Sequence, residues 1–149
     1  MSASSISERD MCDLIDRSAD GDHAEVKRLL ERGDADTEAK TSESGFTALH
    51  WASWNGHTEV IRLLVEHGAN LEARNVDGYT PLMRAAINGR LDAITLLLTL
   101  GASTTATNDF SETALACAQG PTDKQEAAAV LRAWKPPAAG VALPAVHVA

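Results

Sequence analysis

Aromatic residues are scarce in this chain: two Phe, one Tyr and three Trp make up 4% of its 149 residues. A core built on large rings is thereby excluded, and apolar burial must come from Leu, Ile, Val and Ala. Cysteine is rarer still, confined to Cys12 and Cys117, so a disulfide framework or a cysteine-based zinc site is not available. Long apolar runs are missing. The longest uncharged stretch, Ala93 to Asn108, carries six Thr or Ser residues and a glycine, too short and too polar for the ~20 apolar residues of a membrane span. Basic charge is in deficit, with 13 Lys and Arg against 21 Asp and Glu and a net charge of −8. Nucleic acid is disfavoured as a partner, because clustered cations carry most of that affinity. The deficit is uneven, since residues 1–43 hold twelve acids and six bases. That end reads as a solvated cap or as a docking face for a basic partner. No apolar stretch behind a basic flank opens the chain, so no leader is expected.

What is present is repetition. Gly45-Phe46-Thr47-Ala48-Leu49-His50 returns as Gly78-Tyr79-Thr80-Pro81-Leu82-Met83 and again as Ser111-Glu112-Thr113-Ala114-Leu115-Ala116, a period of 33 residues. Asn55-Gly56 matches Asn88-Gly89, Leu63-Leu64 matches Leu96-Leu97, and His67-Gly68-Ala69 matches Leu100-Gly101-Ala102. Upstream, Leu14 to Gly21 repeats Leu49 to Gly56 at an offset of 35, and Glu25-Val26 with Arg28-Leu29-Leu30 repeats Glu59-Val60 with Arg62-Leu63-Leu64 at 34. This unit resembles the ankyrin repeat, a turn followed by two antiparallel helices.

The resemblance implies an all-α solenoid of helix-turn-helix units joined by short turn or hairpin fingers. Four repeats are expected, at 9–41, 42–74, 75–107 and 108–134, between a disordered leading segment 1–8 and a disordered Pro/Ala/Val tail 135–149. Thr47, Thr80 and Thr113 stand where a hydroxyl can cap the first helix of each unit, Pro81 occupies the helical position that tolerates a missing N–H, and Gly56 and Gly89 end that helix. The second helices should run from Glu59 to Glu66 and from Asp92 to Thr99. Ser111 falls in the column of Gly45 and Gly78 and should strain the third finger. The first finger is one residue longer than the next. In the last unit Gly120-Pro121 interrupts the helix and Thr122 to Gln125 reads as a capping box. Cys12 and Cys117, placed in the outermost repeats, lie too far apart for a bond limited to ~7 Å between Cα atoms. Free thiols suit a cytoplasmic or nuclear setting.

No constellation of catalytic residues stands out, and no cofactor or metal is expected. His50 ends the family's Thr-Pro-Leu-His motif, where the resemblance implies that its ring bonds the turn; Cys117 has no activating base in view. The resemblance also implies a partner-binding surface along the finger tips and the exposed edge of the first helices. Aligned by motif, Phe46 and Tyr79 share a finger column, while Glu43, Asp77 and Phe110 fill the tips. Trp54 and Ile87 share a helix column beside Asn55 and Asn88. Asp109 joins Glu43 and Asp77 at the rim. Trp51 is expected to pack between helices and Trp134 to close the C-terminal end of the core. The sequence thus points to a non-catalytic, monomeric protein-interaction module binding a protein or peptide as adaptor, scaffold or inhibitor. Two alternatives remain. One is a relative of the ankyrin-built cyclin-dependent kinase inhibitors, against which the regular stretch from Thr47 to Gly56 counts. The other is a reader of methylated lysine through an aromatic groove, since Leu49-His50-Trp51-Ala52 resembles repeats of histone-lysine methyltransferases.

Overall fold

The computed structural model describes residues 8–33, 35–120 and 124–135, with side chains from Asp13 onward. Expectations for residues 1–7, for most of the tail, for the Cys12 thiol and for Thr122 and Asp123 lie outside the described residues. Eight helices follow one another: α1 (Glu8–Asp20), α2 (His23–Glu31), α3 (Ala48–Asn55), α4 (Thr58–Glu66), α5 (Pro81–Ile87), α6 (Leu91–Thr99), α7 (Ala114–Ala118) and α8 (Gln125–Ala133). No strand occurs among the described residues. The first helices α1, α3, α5 and α7 pack side by side in one layer and α2, α4, α6 and α8 in a second. Helix α1 takes in Glu8, one residue earlier than the sequence suggested, within the usual uncertainty of a helix end.

Local chemistry sets each boundary. Thr47, Thr80 and Thr113 are extended, and each hydroxyl accepts the backbone N–H three residues on, from His50, Met83 and Ala116. His50 completes the first cap by accepting the Thr47 N–H on Nδ1 at 3.2 Å, and Met83 supplies its sulfur at the same place in the next unit, 3.5 Å from the Thr80 nitrogen. Helix α3 stops at Gly56, whose φ of 76° is left-handed. Each second helix carries an acid in its first turn, Glu25, Glu59, Asp92 and Glu126, against the positive helix end.

The core lies between the layers and between successive repeats. Leu14, Leu49, Val60, Ile61, Leu64, Leu82, Ile94 and Leu97 are essentially inaccessible, each contributing about 1.5–3 kcal/mol of burial. Small residues let the first helices approach: Ala52, Ala85 and Ala118 are fully buried in one column.

The fingers close by one scheme with one exception. Asn75 N–H donates to the Tyr79 carbonyl and Asn108 N–H to that of Glu112, while each Asn side chain accepts N–H groups inside its own turn. In the first finger Thr41 takes this part, and the closing bond runs to Phe46 across the extra residue. Neighbouring fingers are tied by Val76 N–H to the Ser44 carbonyl at 3.2 Å and by Asp109 N–H to that of Asp77 at 3.0 Å.

Candidate partner-binding surface

The first helix of each repeat starts directly after a finger, and helical side chains lean toward the helix N-terminus. Residues in the first turns of α3 and α5 are therefore thrown back onto the fingers. Phe46 stacks on His50, with ring centroids 5.5 Å apart and planes 22° from parallel, and meets Trp51 edge-on at 5.3 Å. Tyr79, one repeat on, lies 6.4 Å from Phe110.

Between the two finger rings sits Arg84. Its guanidinium carbon is 4.5 Å from the Phe46 centroid, 4.3 Å from that of Tyr79 and 5.2 Å from that of Trp54. A cation over a ring face gains about 0.5–2 kcal/mol, more as water is excluded. Arg84 stands one period of 33 residues after Trp51, a position that does not by itself announce this role. A signal was available, because Arg84 is the one charged side chain (taking His as neutral) in α3, α5 and α7 together. Its Nε is buried without a hydrogen-bond partner, and the described ion pairs, Lys27 with Glu31 and Arg28 with Glu25, do not involve it. Burial holds its pKa below the ordinary arginine value, against smaller raising effects of Tyr79, Asp77 and Cys117.

Phe46, Trp54 and Tyr79 are thus brought together, each half-buried, with Phe110 64% exposed beside Tyr79 and Val76 59% exposed at a finger tip. Ile87 is half-buried on the same helix edge; Glu43, Asp77 and Asp109 are exposed at the tips. Asn55 and Asn88 have a different job. Asn55 Nδ2 donates to the Ala19 carbonyl at 3.0 Å and Asn88 Nδ2 to that of Trp54 at 2.8 Å. The next column repeats the gesture, His57 Nε2 reaching the Ala19 carbonyl and Arg90 Nε that of Trp54. Each amide thus spends one N–H in tying its repeat to the one before, and both residues remain partly exposed. Trp51 packs against the core as expected and remains half-buried, its Nε1 enclosed without a partner among the described residues. Trp134 is half-buried against the same core.

His50 and Cys117 are both placed for structure. His50 is wholly buried, its Nε2–H donating to the Tyr79 carbonyl at 2.8 Å. Burial lowers its pKa to about 4, so the ring is neutral. Cys117 is a free thiol pushed up to about 11, by burial first and by Glu112 second. A nucleophile needs the opposite shift. The reader alternative meets an obstacle as well, because the space over the rings that a methylammonium would use is held by Arg84.

A family model of ankyrin repeats in three copies matches residues 14–108. The repeats are also similar to palmitoyltransferase AKR1 of Yarrowia lipolytica, 44% identical over 61 residues, 41% of this chain and 8% of that protein. Human ankyrin repeat domain-containing protein 39 is 41% identical over 54 residues, 36% of this chain and 28% of its own length. Human apoptosis-stimulating of p53 protein 2 is 37% identical over 60 residues, 40% of this chain and 5% of its own. The chain thus spans well under a third of each of these relatives. The similarity to the transferase covers 61 residues and so only 8% of that protein.

Proposed function

Given that this chain belongs to the ankyrin repeat family, whose repeats mediate protein–protein contact, we propose that it is a non-catalytic interaction module. It holds a segment of a protein ligand across the face formed by Phe46, Trp54, Tyr79, Ile87 and Phe110. The observation that carries this reading is the gathering of three of the chain's six aromatic rings around one point on that face, with two exposed apolar side chains, Val76 and Phe110, continuing it. Half-buried rings at the centre of a patch are the usual anchors of an interface. Glu43, Asp77 and Asp109 at the tips favour basic residues in the flanks of the ligand. Adaptor, scaffold and inhibitor all act through such holding.

Affinity capture with the wild-type chain beside a Trp54→Ala, Tyr79→Ala double variant tests it. Partners that bind the first should be lost from the second, while the circular dichroism spectrum of the variant stays helical. Retention of every partner by a folded double variant would remove this face from the function.

A further inference from the structure

We propose that Arg84 is the anchor for a carboxylate: the side chain of an Asp or Glu inside an extended segment of the ligand, flanked there by apolar residues. This rests on the reading that the finger face holds a protein segment, and it narrows what that segment carries.

The Phe46 and Tyr79 rings lie against the guanidinium carbon at 4.5 and 4.3 Å, and a ring face offers no strong hydrogen-bond acceptor, so the N–H donors are not spent on them. None of those donors has a partner among the described residues. Nε is buried and unbonded, whereas the two terminal nitrogens are not among the enclosed atoms and so keep access to solvent. No described carboxylate forms an ion pair with Arg84; Asp77 acts on it only through space, from an exposed position at the finger tip. A planar, forked set of donors matches a carboxylate with two parallel bonds. Partial burial strengthens such a pair relative to one in open water. The rings also hold the side chain in place before a ligand arrives, so little rotamer freedom is left to lose.

The surroundings say where in the ligand the acid belongs. Along the stack, Phe46 and Trp54 come from the repeat before that of Arg84, Tyr79 from its own and Phe110 from the one after. An acid reaching Arg84 therefore has apolar surface on both sides, which suits an internal residue with apolar neighbours better than a chain end. Glu43, Asp77 and Asp109 oppose a ligand that is acidic throughout. The ligand chemistry is one acid, apolar on both sides, with neutral or basic flanks.

The test is selection of a random phage-displayed peptide library on the immobilised full chain. The enriched peptide is then synthesised with its acid intact and as the Asn or Gln form. Both are titrated by fluorescence anisotropy against wild type, Arg84→Met, Arg84→Lys and the Trp54→Ala, Tyr79→Ala variant. We expect an enriched acid between apolar residues. Binding should fall by about tenfold or more when either the acid or Arg84 is neutralised, and by no further factor when both are, as one charge-assisted contact requires. Arg84→Lys should recover only part of the loss, and Arg84→Met should keep the helical circular dichroism spectrum of the wild type. If Arg84→Met fails to fold, the acid-to-amide comparison on wild type decides. Peptides without an acid, or an acidic peptide indifferent to Arg84→Met, overturn the anchor; the finger face survives if the double variant has nonetheless lost that peptide. Peptides that bind the double variant normally, or no enrichment at all, overturn both. A phosphoserine form binding about tenfold tighter than the acid would reassign the site to phosphate and overturn the carboxylate.

Discussion

Leu49, Leu82 and Leu115 fill one column of the stack, Ala52, Ala85 and Ala118 a second, and Leu64, Leu97 and Leu131 a third. On the finger face the corresponding series run Phe46, Tyr79, Glu112, then Trp51, Arg84, Cys117, then Trp54, Ile87, Gly120. The first set packs within and between repeats, whose geometry recurs at every interface, so one residue type serves throughout. The second set contacts its own irregular neighbours and solvent, and nothing in the stacking asks its members to agree. Repetition marks what holds the fold, and its breakdown marks where this chain is particular.

The contrast can be broken most severely in the core. Leu97→Ala should destabilise by about 2–5 kcal/mol, because Leu97 is completely buried between helices that cannot collapse independently. Urea denaturation would show a lower midpoint at an unchanged slope. A loss under about 1 kcal/mol would mean that the layers relax around the cavity.

His50 is one place where the buried side itself ceases to repeat, since Met83 stands in its column. Its folded pKa of about 4 lies below the ordinary 6.5, so between those values the unfolded chain binds a proton that the folded chain refuses. The sign follows directly: this contribution is complete above pH 6.5 and is lost as pH falls toward about 4. The loss is on the order of 3 kcal/mol at most. His50→Met should flatten that part of the stability profile, and the Tyr79 carbonyl would still accept Asn75 N–H. An equally steep profile in the variant would assign the acid sensitivity elsewhere.

A smaller effect separates the fingers. Gly78 has φ of 81°, and a Cβ there would come within 2.9 Å of the Asp109 backbone nitrogen; Ser111, in the same column, already carries a side chain at φ of 63°. Gly78→Ala should cost about 1–3 kcal/mol, whereas Ser111→Gly should be neutral or stabilising by up to about 1 kcal/mol. Thermal melts of the two variants check both directions at once. The smallest expected change is a gain. Ser53 is fully buried with an unbonded hydroxyl, while Ala86 fills its column in the next repeat. Ser53→Ala should stabilise by about 0.5–1 kcal/mol, and a lower melting temperature would reveal a partner for that hydroxyl.

How much was legible in the sequence follows the same division. The threonine caps, Pro81, the acids of the second helices and the strained Ser111 could all be read, because each depends on backbone geometry within a few residues and recurs at a fixed offset. Column alignment also put Phe46, Trp54 and Tyr79 on one face. It could not show that Asn55 and Asn88 turn their amides to the preceding repeat, because a column fixes where a residue starts and not which neighbour it reaches. Arg84 was hidden for the same reason. Its backbone belongs to the column of Trp51, but its guanidinium carbon lies five bonds from Cα, among rings of two repeats.

The caged arginine bears on colloidal behaviour. An aromatic patch of this kind invites a second copy of the same patch, and identical faces meet about a two-fold axis. Here the centre of the patch is a cation. Two copies brought face to face would set one Arg84 against the other in a partly dried gap, a repulsion that no ligand carrying an acid would meet. The residue proposed to hold a ligand's acid would thus oppose self-association of the same face.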